Sequence, residues 1–235
     1  MKKLGVLLAA SLLVTLVFCA IGCGSGGGGG TGNLSEILGH MKSVKNAYVD
    51  IVDTEPGMSP VTSKYWVEYP AEGSMIRMEG LVTEATDIAG ETVAAGETQV
   101  ILWVDTPTTY SMSLYYPAHN KAYYYGYTPT PTSPGTTPEP GLFENNIFAP
   151  DLLSYNPTVI DSEKYDGKDC LVVQYTDMGE TVKMWIWKDK GLTIKEERTT
   201  DQGTSIFEYK NISFSDIPDS KFQLPAGVEK IEIPQ

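Results

Sequence analysis

Few residues of this 235-residue chain could carry chemistry, and they include three cysteines and two histidines. Cys170 alternates with Val172 in a strand-like run, and no motif ties His40 or His119 to it, so we interpret it as a small core residue. The sequence has no glycine-rich phosphate loop, Cys-x-x-Cys pair or His-x-x-x-His pair. Because nothing selects a pair of catalytic carboxylates either, we predict a protein that is not an enzyme and binds no cofactor.

Acidic residues dominate the charge of the chain. Lys and Arg number 17 against 30 Asp and Glu, a formal net charge of −13, which becomes −15 once Lys2 and Lys3 of the leader are removed. This charge repels phosphate backbones, so we expect no nucleic-acid partner. One group of carboxylates surrounds a predicted hairpin, at Asp161, Glu163, Asp166 and Asp169. It lacks the loop spacing of calcium sites, so we predict solvated turn residues and no metal.

Residues 1–22 are typical of a secretory signal peptide. Lys2 and Lys3 form a positive n-region, and Leu4–Phe18 form an apolar h-region. This apolar run is shorter than the roughly 20 residues that a membrane-spanning helix needs. The sequence therefore predicts an exported protein.

Cys23 is the predicted lipidation site. The stretch Ala20–Cys23 resembles a bacterial-type lipobox, with Ile21 as a mild departure, and this implies diacylglycerol transfer to the Cys23 sulfur and cleavage before it. The alternative is an ordinary signal peptide with an incidental cysteine. The glycine-rich residues 23–33 then form the acylated cysteine and a flexible tether. We expect a lipid anchor on the outer face of the cell membrane, or on the outer membrane facing the periplasm.

Residues 34–235 are predicted to form one domain made mainly of strands. Leu34–Asn46 has apolar residues at helical spacing. Strand-like segments follow at Ala47–Asp53, Thr62–Tyr69, Ser74–Thr83, Thr98–Asp105, Tyr110–Tyr116, Ala122–Tyr127 and Thr158–Lys164. We interpret the segment between Thr83 and Glu97 as a long hairpin tip.

The second half of the domain is predicted to be an antiparallel meander over Tyr165–Phe214. Its four hairpin turns are indicated by Asp166-Gly167, Met178-Gly179, Lys190-Gly191 and Gln202-Gly203. Before it, the Pro/Thr-rich residues 128–141 cannot lie inside a sheet and are either a surface loop or a flap beside a cavity. Leu142–Tyr155 is expected to form one or two short helices.

Together these segments predict an α+β, mainly β domain of about ten antiparallel strands. A sheet of that length curls, and the apolar helix faces can then be buried on its concave side. We therefore expect a strongly curved antiparallel sheet, an incomplete β-barrel, with helices on the concave face and an apolar cavity.

Two short motifs resemble the LolA/LolB-like superfamily of outer-membrane lipoprotein carriers. They are the strand end Trp66-Val67-x-x-Pro70 and the late set Asp219, Phe222, Pro225, Gly227 and Val228. The resemblance implies an incomplete barrel that carries an acyl-bearing ligand. The family has an arginine just before the first proline, where this sequence has Tyr69, so an arginine-dependent release is not implied here.

The predicted function is therefore an envelope lipoprotein that binds a lipid or acyl-bearing ligand. The alternative is a sensor or regulator of the same fold that binds a membrane protein. The candidate lining residues are Trp66, Ile76, Ile101, Trp103, Leu114, Phe148, Leu152, Met184 and Ile186. Alternation leaves one question open, because either Val182, Met184 and Ile186 or Trp185 and Trp187 could face the concave side.

Overall fold

The computed structural model of the protein describes residues 31–69, 73–106, 109–127 and 152–233. The predicted signal peptide, Cys23, the 128–141 insert and Phe148 lie outside these residues. Helix α1 spans Thr31–Gly39 and continues as a 3-10 helix over His40–Ser43. Two further 3-10 helices span Leu152–Tyr155 and Asp219–Phe222. No helix in the described ranges has both the length and the apolar character needed to cross a membrane.

Fourteen strands are present in the described residues. They are β1 (Asn46–Thr54), β2 (Val61–Glu68), β3 (Ser74–Leu81), β4 (Thr86–Ile88), β5 (Glu91–Val93), β6 (Thr98–Thr106), β7 (Thr109–Tyr116), β8 (Lys121–Tyr127), β9 (Thr158–Tyr165), β10 (Lys168–Asp177), β11 (Glu180–Trp187), β12 (Leu192–Thr200), β13 (Gly203–Ser213) and β14 (Glu229–Glu232). The strands predicted from alternation and turn signals are thus present, with ends shifted by a few residues.

Twelve of these strands form one open sheet in the order β14-β8-β7-β6-β3-β2-β1-β13-β12-β11-β10-β9. The mainly β prediction is confirmed. The sheet is longer than the ten strands expected, and it is not purely antiparallel, because β14 pairs with β8 in parallel. Two runs of neighbouring strands meet where β1 pairs with β13. The segment predicted as a hairpin tip holds the small two-stranded sheet β4-β5.

Turn chemistry explains the regular meander. Asp166 and Gly167 both have positive φ (49° and 74°), as do Met178 and Gly179 (49° and 89°). Two consecutive residues in this region form the tight turn whose twist matches that of a hairpin. The glycines therefore set the register of β9, β10 and β11.

The helix ends earlier than its apolar pattern predicts. The α-helical part stops at Gly39, and the chain tightens into the 3-10 turn before Val44 takes an extended conformation. Leu34 and Ile37 are buried. The helix is therefore held by its apolar side chains, which pack against one face of the sheet.

The sheet has two distinct faces, and we call the side on which α1 packs the front face and the other side the back face. Leu34 and Ile37 contact the alternate residues Val182, Met184 and Ile186 of β11. These aliphatic side chains therefore point to the front. Trp185 points to the back, in a cluster with Cys170, Val172 and Ile194. Of the two sets that alternation left open, Val182, Met184 and Ile186 are the one that shares the side of α1.

Candidate ligand-binding face

The front face carries two apolar rows that cross six neighbouring strands. Each row follows directly paired residues from β1 through β2, β3, β6 and β7 to β8. The first row is Val49, Tyr65, Met78, Ile101, Leu114 and Tyr123, and the second is Ala47, Val67, Ile76, Trp103, Met112 and Tyr125. Strand alternation places every second residue on this side, so the rows form a continuous apolar surface.

Helix α1 covers one end of the front face. Leu34 and Ile37 pack on β10 and β11, and the side chains of Met41 and Val44 extend this contact to the cluster around Leu192. The turn between β11 and β12 also contacts the helical segment. His40 Nδ1 lies 2.8 Å from the carbonyl oxygen of Lys188 and donates to it, since the carbonyl can only accept.

The β4-β5 hairpin covers the other end. Its Val93 and Ile88 pack with the front-face residues Leu114, Tyr116 and Tyr123. Polar contacts fasten the hairpin to the β7-β8 turn and to β8. They join His119 Nδ1 to Glu91 (3.0 Å), His119 Nε2 to Glu97 (2.8 Å), Lys121 Nζ to Glu91 (2.7 Å) and Tyr123 Oη to Glu91 (3.0 Å). The hydrogen bonds that the ring of His119 donates to Glu91 and Glu97 raise the pKa of His119.

Between the two covers lies a surface that we call the central strip. It consists of the front-face side chains Val49, Ile51, Tyr65, Val67, Ile76, Met78, Ile101 and Trp103. Ile51, Met78 and Ile101 are only half-buried, although each lies in an apolar cluster. An apolar surface that the protein does not fully cover is typical of a binding site.

Polar groups border the front face on the side of β12. Arg198 pairs with Asp177 (3.2 Å), Glu180 (3.1 Å) and Glu196 (3.3 Å). Burial raises the pKa of Glu196, and burial followed by the nearby Glu55 raises the pKa of Asp53 to about 6. Negative charge is therefore disfavoured at this border, and the one guanidinium beside it already has carboxylate partners.

The candidate residues fall into three groups. Ile76, Ile101, Trp103 and Leu114 share the two apolar rows of the front face. Met184 and Ile186 also face the front, and Leu152 of the 3-10 helix Leu152–Tyr155 packs in the same cluster as they do; all three are buried with Leu34 and Ile37 as part of the protein's own core.

Trp66 is the exception among the described candidates, because it lies on the back face. It pairs with Arg77 on β3, and its ring packs at a tilt against Tyr48, with 5.0 Å between centroids, and lies 4.6 Å from Lys221 Nζ. Its neighbours Tyr65 and Val67 point to the front, so strict alternation turns the indole away. Trp66 therefore does not line the central strip.

Sequence reasoning missed most of the other residues in the two rows, and three of them are informative. Tyr65, Met78 and Met112 occupy the two rows between the predicted candidates. The alternation in the sequence that selected Ile76 and Ile101 could also have identified these three residues. Methionine is flexible and fits irregular ligands, which was a second available indication.

The late motif covers the back face instead of lining the front. Phe222 is buried, and Leu224 and Val228 pack against Val100, Leu102, Tyr115 and Ala122. A groove of about 450 Å³ lies between this segment and the back of β6 and β7. Across the described residues, no three His, Cys, Asp or Glu side chains are grouped as a metal site.

Comparison with known proteins identifies similar folds. No protein-family model matches the chain, and no curated protein sequence does. A crystal structure of MucB aligns over 85% of this chain and 66% of its own, with 16% identity and a TM-score of 0.51. The chain shares its fold with MucB. A structure of MucB in complex with MucA(peri) aligns at 14% identity and a TM-score of 0.48, over 85% and 62% of the two chains. The chain thus spans just under two thirds of the length of these MucB chains.

Two other similar structures cover nearly the whole of their own chains. LprF from Mycobacterium bovis aligns at 14% identity and a TM-score of 0.45, over 84% of this chain and 96% of LprF. The LolA superfamily protein NE2245 from Nitrosomonas europaea aligns at 15% identity and a TM-score of 0.29, over 81% and 97%. The superfamily that the sequence motifs resemble is therefore among the similar structures.

Proposed function

We propose that this protein is an envelope lipoprotein that holds the acyl chain of a lipid on its central strip. The observation that carries the proposal is the strip itself, an apolar surface between α1 and the β4-β5 hairpin on which Ile51, Met78 and Ile101 remain half-buried. In this proposal the front face is the concave side of an incomplete barrel, and the protein acts by binding, without a catalytic step.

Lipid extraction tests the proposal directly. The full chain carrying Cys23→Ser, which cannot be acylated, is purified from its host, and the extracted lipids are analysed by mass spectrometry. We expect acyl lipid at close to one molecule per chain. Met78→Glu places a charge on the strip and should abolish the bound lipid, because a carboxylate in an apolar site is strongly disfavoured.

A matched control separates this effect from a general effect of charge. Thr62→Glu adds the same charge at an exposed position on the back face of the neighbouring strand β2. It should leave the lipid unchanged. Equal lipid content in wild type and Met78→Glu, or no bound lipid at all, would contradict the proposal.

We also propose that the mature protein is exported and anchored through Cys23. The predicted leader and lipobox support this location. Mass spectrometry of the mature N-terminus should find Cys23 as the first residue, carrying acyl groups. An intact leader, or an unmodified Cys23, would contradict anchoring through Cys23.

A protein partner is the second candidate, because MucB has been solved in complex with MucA(peri). In this alternative the protein is an envelope sensor or regulator that binds a membrane protein. Crosslinking in cells distinguishes the two candidates. One defined crosslinked protein, which a front-face variant no longer captures, would favour the protein partner. Bound lipid in the extract and no crosslinked protein would favour lipid binding.

A further inference from the structure

The side chain of Tyr65 is an unusual member of the central strip. It is 4% exposed, and its hydroxyl oxygen Oη is buried without a hydrogen-bond partner in the described part of the chain. It belongs to the cluster that contains Val49, Ile76 and Trp103, against which Tyr69 and Tyr209 also pack. Burial, and then the nearby Tyr69 and Tyr209, raise its pKa well above the ordinary value. The hydroxyl therefore remains protonated and can donate a hydrogen bond.

A buried donor without an acceptor is uncommon in a folded protein. Leaving one costs stability, and phenylalanine would keep the same ring contacts without this penalty. The tyrosine is therefore better explained by an acceptor that arrives from outside the chain. Met41, Met78 and Met112 pack against the same cluster and are half-buried. Their flexible side chains can move aside to admit a ligand.

The charges on the front face define this acceptor further. Arg198 is already paired with three carboxylates, and Lys121 is paired with Glu91. Asp53 and Glu196 add carboxylates at the border of the face. A free fatty acid would bring its carboxylate to a face on which Arg198 and Lys121 already have carboxylate partners. An uncharged carbonyl oxygen fits the single donor of Tyr65.

We propose that Tyr65 Oη donates a hydrogen bond to the ester carbonyl of an uncharged acyl ester, of the acylglycerol type, bound on the central strip. This inference rests on the proposed function and adds the class of ligand and the residue that recognises it. The acyl chain occupies the apolar rows, and the ester lies at Tyr65. The polar head then extends away from the apolar cluster.

The test compares two ligands that differ in one carbonyl group. The probes are 1-monooleoylglycerol and its ether analogue, which has the same chain and head but no carbonyl. Binding of each to the full chain carrying Cys23→Ser is measured by tryptophan fluorescence, which Trp103 on the strip reports. We expect the ester to bind about 2- to 10-fold more tightly, the range for one hydrogen bond.

The Tyr65→Phe variant should remove this preference while retaining affinity for the ether. Its midpoint of urea unfolding should not fall, because the hydroxyl it loses has no partner. Tyr48→Phe is the matched control, since Tyr48 lies on the back face and its hydroxyl is bonded to Asp50. It should keep the preference of the wild type.

Each failure has a distinct meaning. If the wild type binds both probes equally, or Tyr65→Phe keeps the preference for the ester, the role of Tyr65 is refuted while acyl binding stands. If the wild type binds neither probe, the inference is overturned, and lipid extraction decides separately whether the proposed function stands. Tighter binding of oleate than of the monoglyceride would overturn the choice of an uncharged ester.

Discussion

Replacing Gly191 with alanine should release helix α1 from the sheet. Gly191 lies in the β11-β12 turn with a φ of +68°, and a Cβ there would lie 2.3 Å from the carbonyl oxygen of Ile37 and 3.1 Å from the amide nitrogen of Met41. Both are backbone atoms of the helical segment, so no side-chain rotation relieves the clash. The glycine therefore permits the close approach of turn and helix.

The size of the effect follows from two contributions. A left-handed φ costs a non-glycine residue about 1–2 kcal/mol. A carbon–oxygen contact requires about 3.3 Å, so the helix must move by about 1 Å. This movement removes roughly a quarter to a half of the dispersion energy of each contact between the helix and the sheet. Leu34 and Ile37 are buried against the sheet. Each buried side chain contributes about 1.5–3 kcal/mol, so the movement costs about 1–3 kcal/mol more.

Gly179→Ala is the matched control. Gly179 also occupies a hairpin turn with positive φ (+89°), but a Cβ there meets nothing within 4 Å. It should lose only the backbone contribution, about 1–2 kcal/mol. Gly191→Ala should lose about 2–5 kcal/mol in total.

The assay is urea unfolding of both variants followed by tryptophan fluorescence, with hydrogen exchange of the α1 amides at neutral pH. Exchange in α1 should accelerate in Gly191→Ala and not in Gly179→Ala. If the two variants lose the same free energy of unfolding and α1 keeps its protection, the contact between turn and helix does not hold the cover in place.

Three other outcomes follow from the titratable groups. Glu91 and Glu97 stabilise protonated His119, so the contact between the β4-β5 hairpin and the β7-β8 turn should be strongest below pH 6.5, the ordinary pKa of histidine, and should weaken as the pH rises through the raised pKa of His119. Protease cleavage in the β4-β5 hairpin should therefore be faster at high pH, and His119→Gln should remove this pH dependence. The pKa of Asp53 is raised to about 6, so folding stability should fall as pH rises from about 4 through 6, and Asp53→Asn should be more stable than the wild type at pH 7 and equal to it below pH 4. Burial raises the pKa of the Cys170 thiol, so its reaction with a thiol reagent should follow the rate of unfolding; rapid reaction of the native protein would contradict its place in the core.

The sequence predicted local structure well because local structure has local causes. The turns at Gly167 and Gly179 are set by two residues each, and alternation between such turns fixes the strands. Alternation alone does not tell which set of alternate side chains lies on the front face, and a contact with another element was needed to decide it. Leu34 and Ile37 select Met184 and its neighbours for the front face.

Other features depend on contacts between distant parts of the chain. The pairing of β1 with β13 and the parallel pairing of β14 with β8 join segments that no local pattern connects. The position of Trp66 needed the exact register of β2, since a shift of one residue exchanges the two faces. The unpaired hydroxyl of Tyr65 is visible only once all its neighbours are in place.

The β1-β13 pairing has a consequence for how the chain folds. Strands β1–β8 can form one partial sheet and β9–β13 another, and in the described sheet the only strand pairing that joins them is that of β1 with β13. A chain synthesised from its N-terminus therefore exposes the open edge of β1 until β13 has emerged. Closing such a long loop slows folding, and an open strand edge invites association with other chains. We expect this joining step to limit the folding rate and to be the stage at which the protein most needs a chaperone.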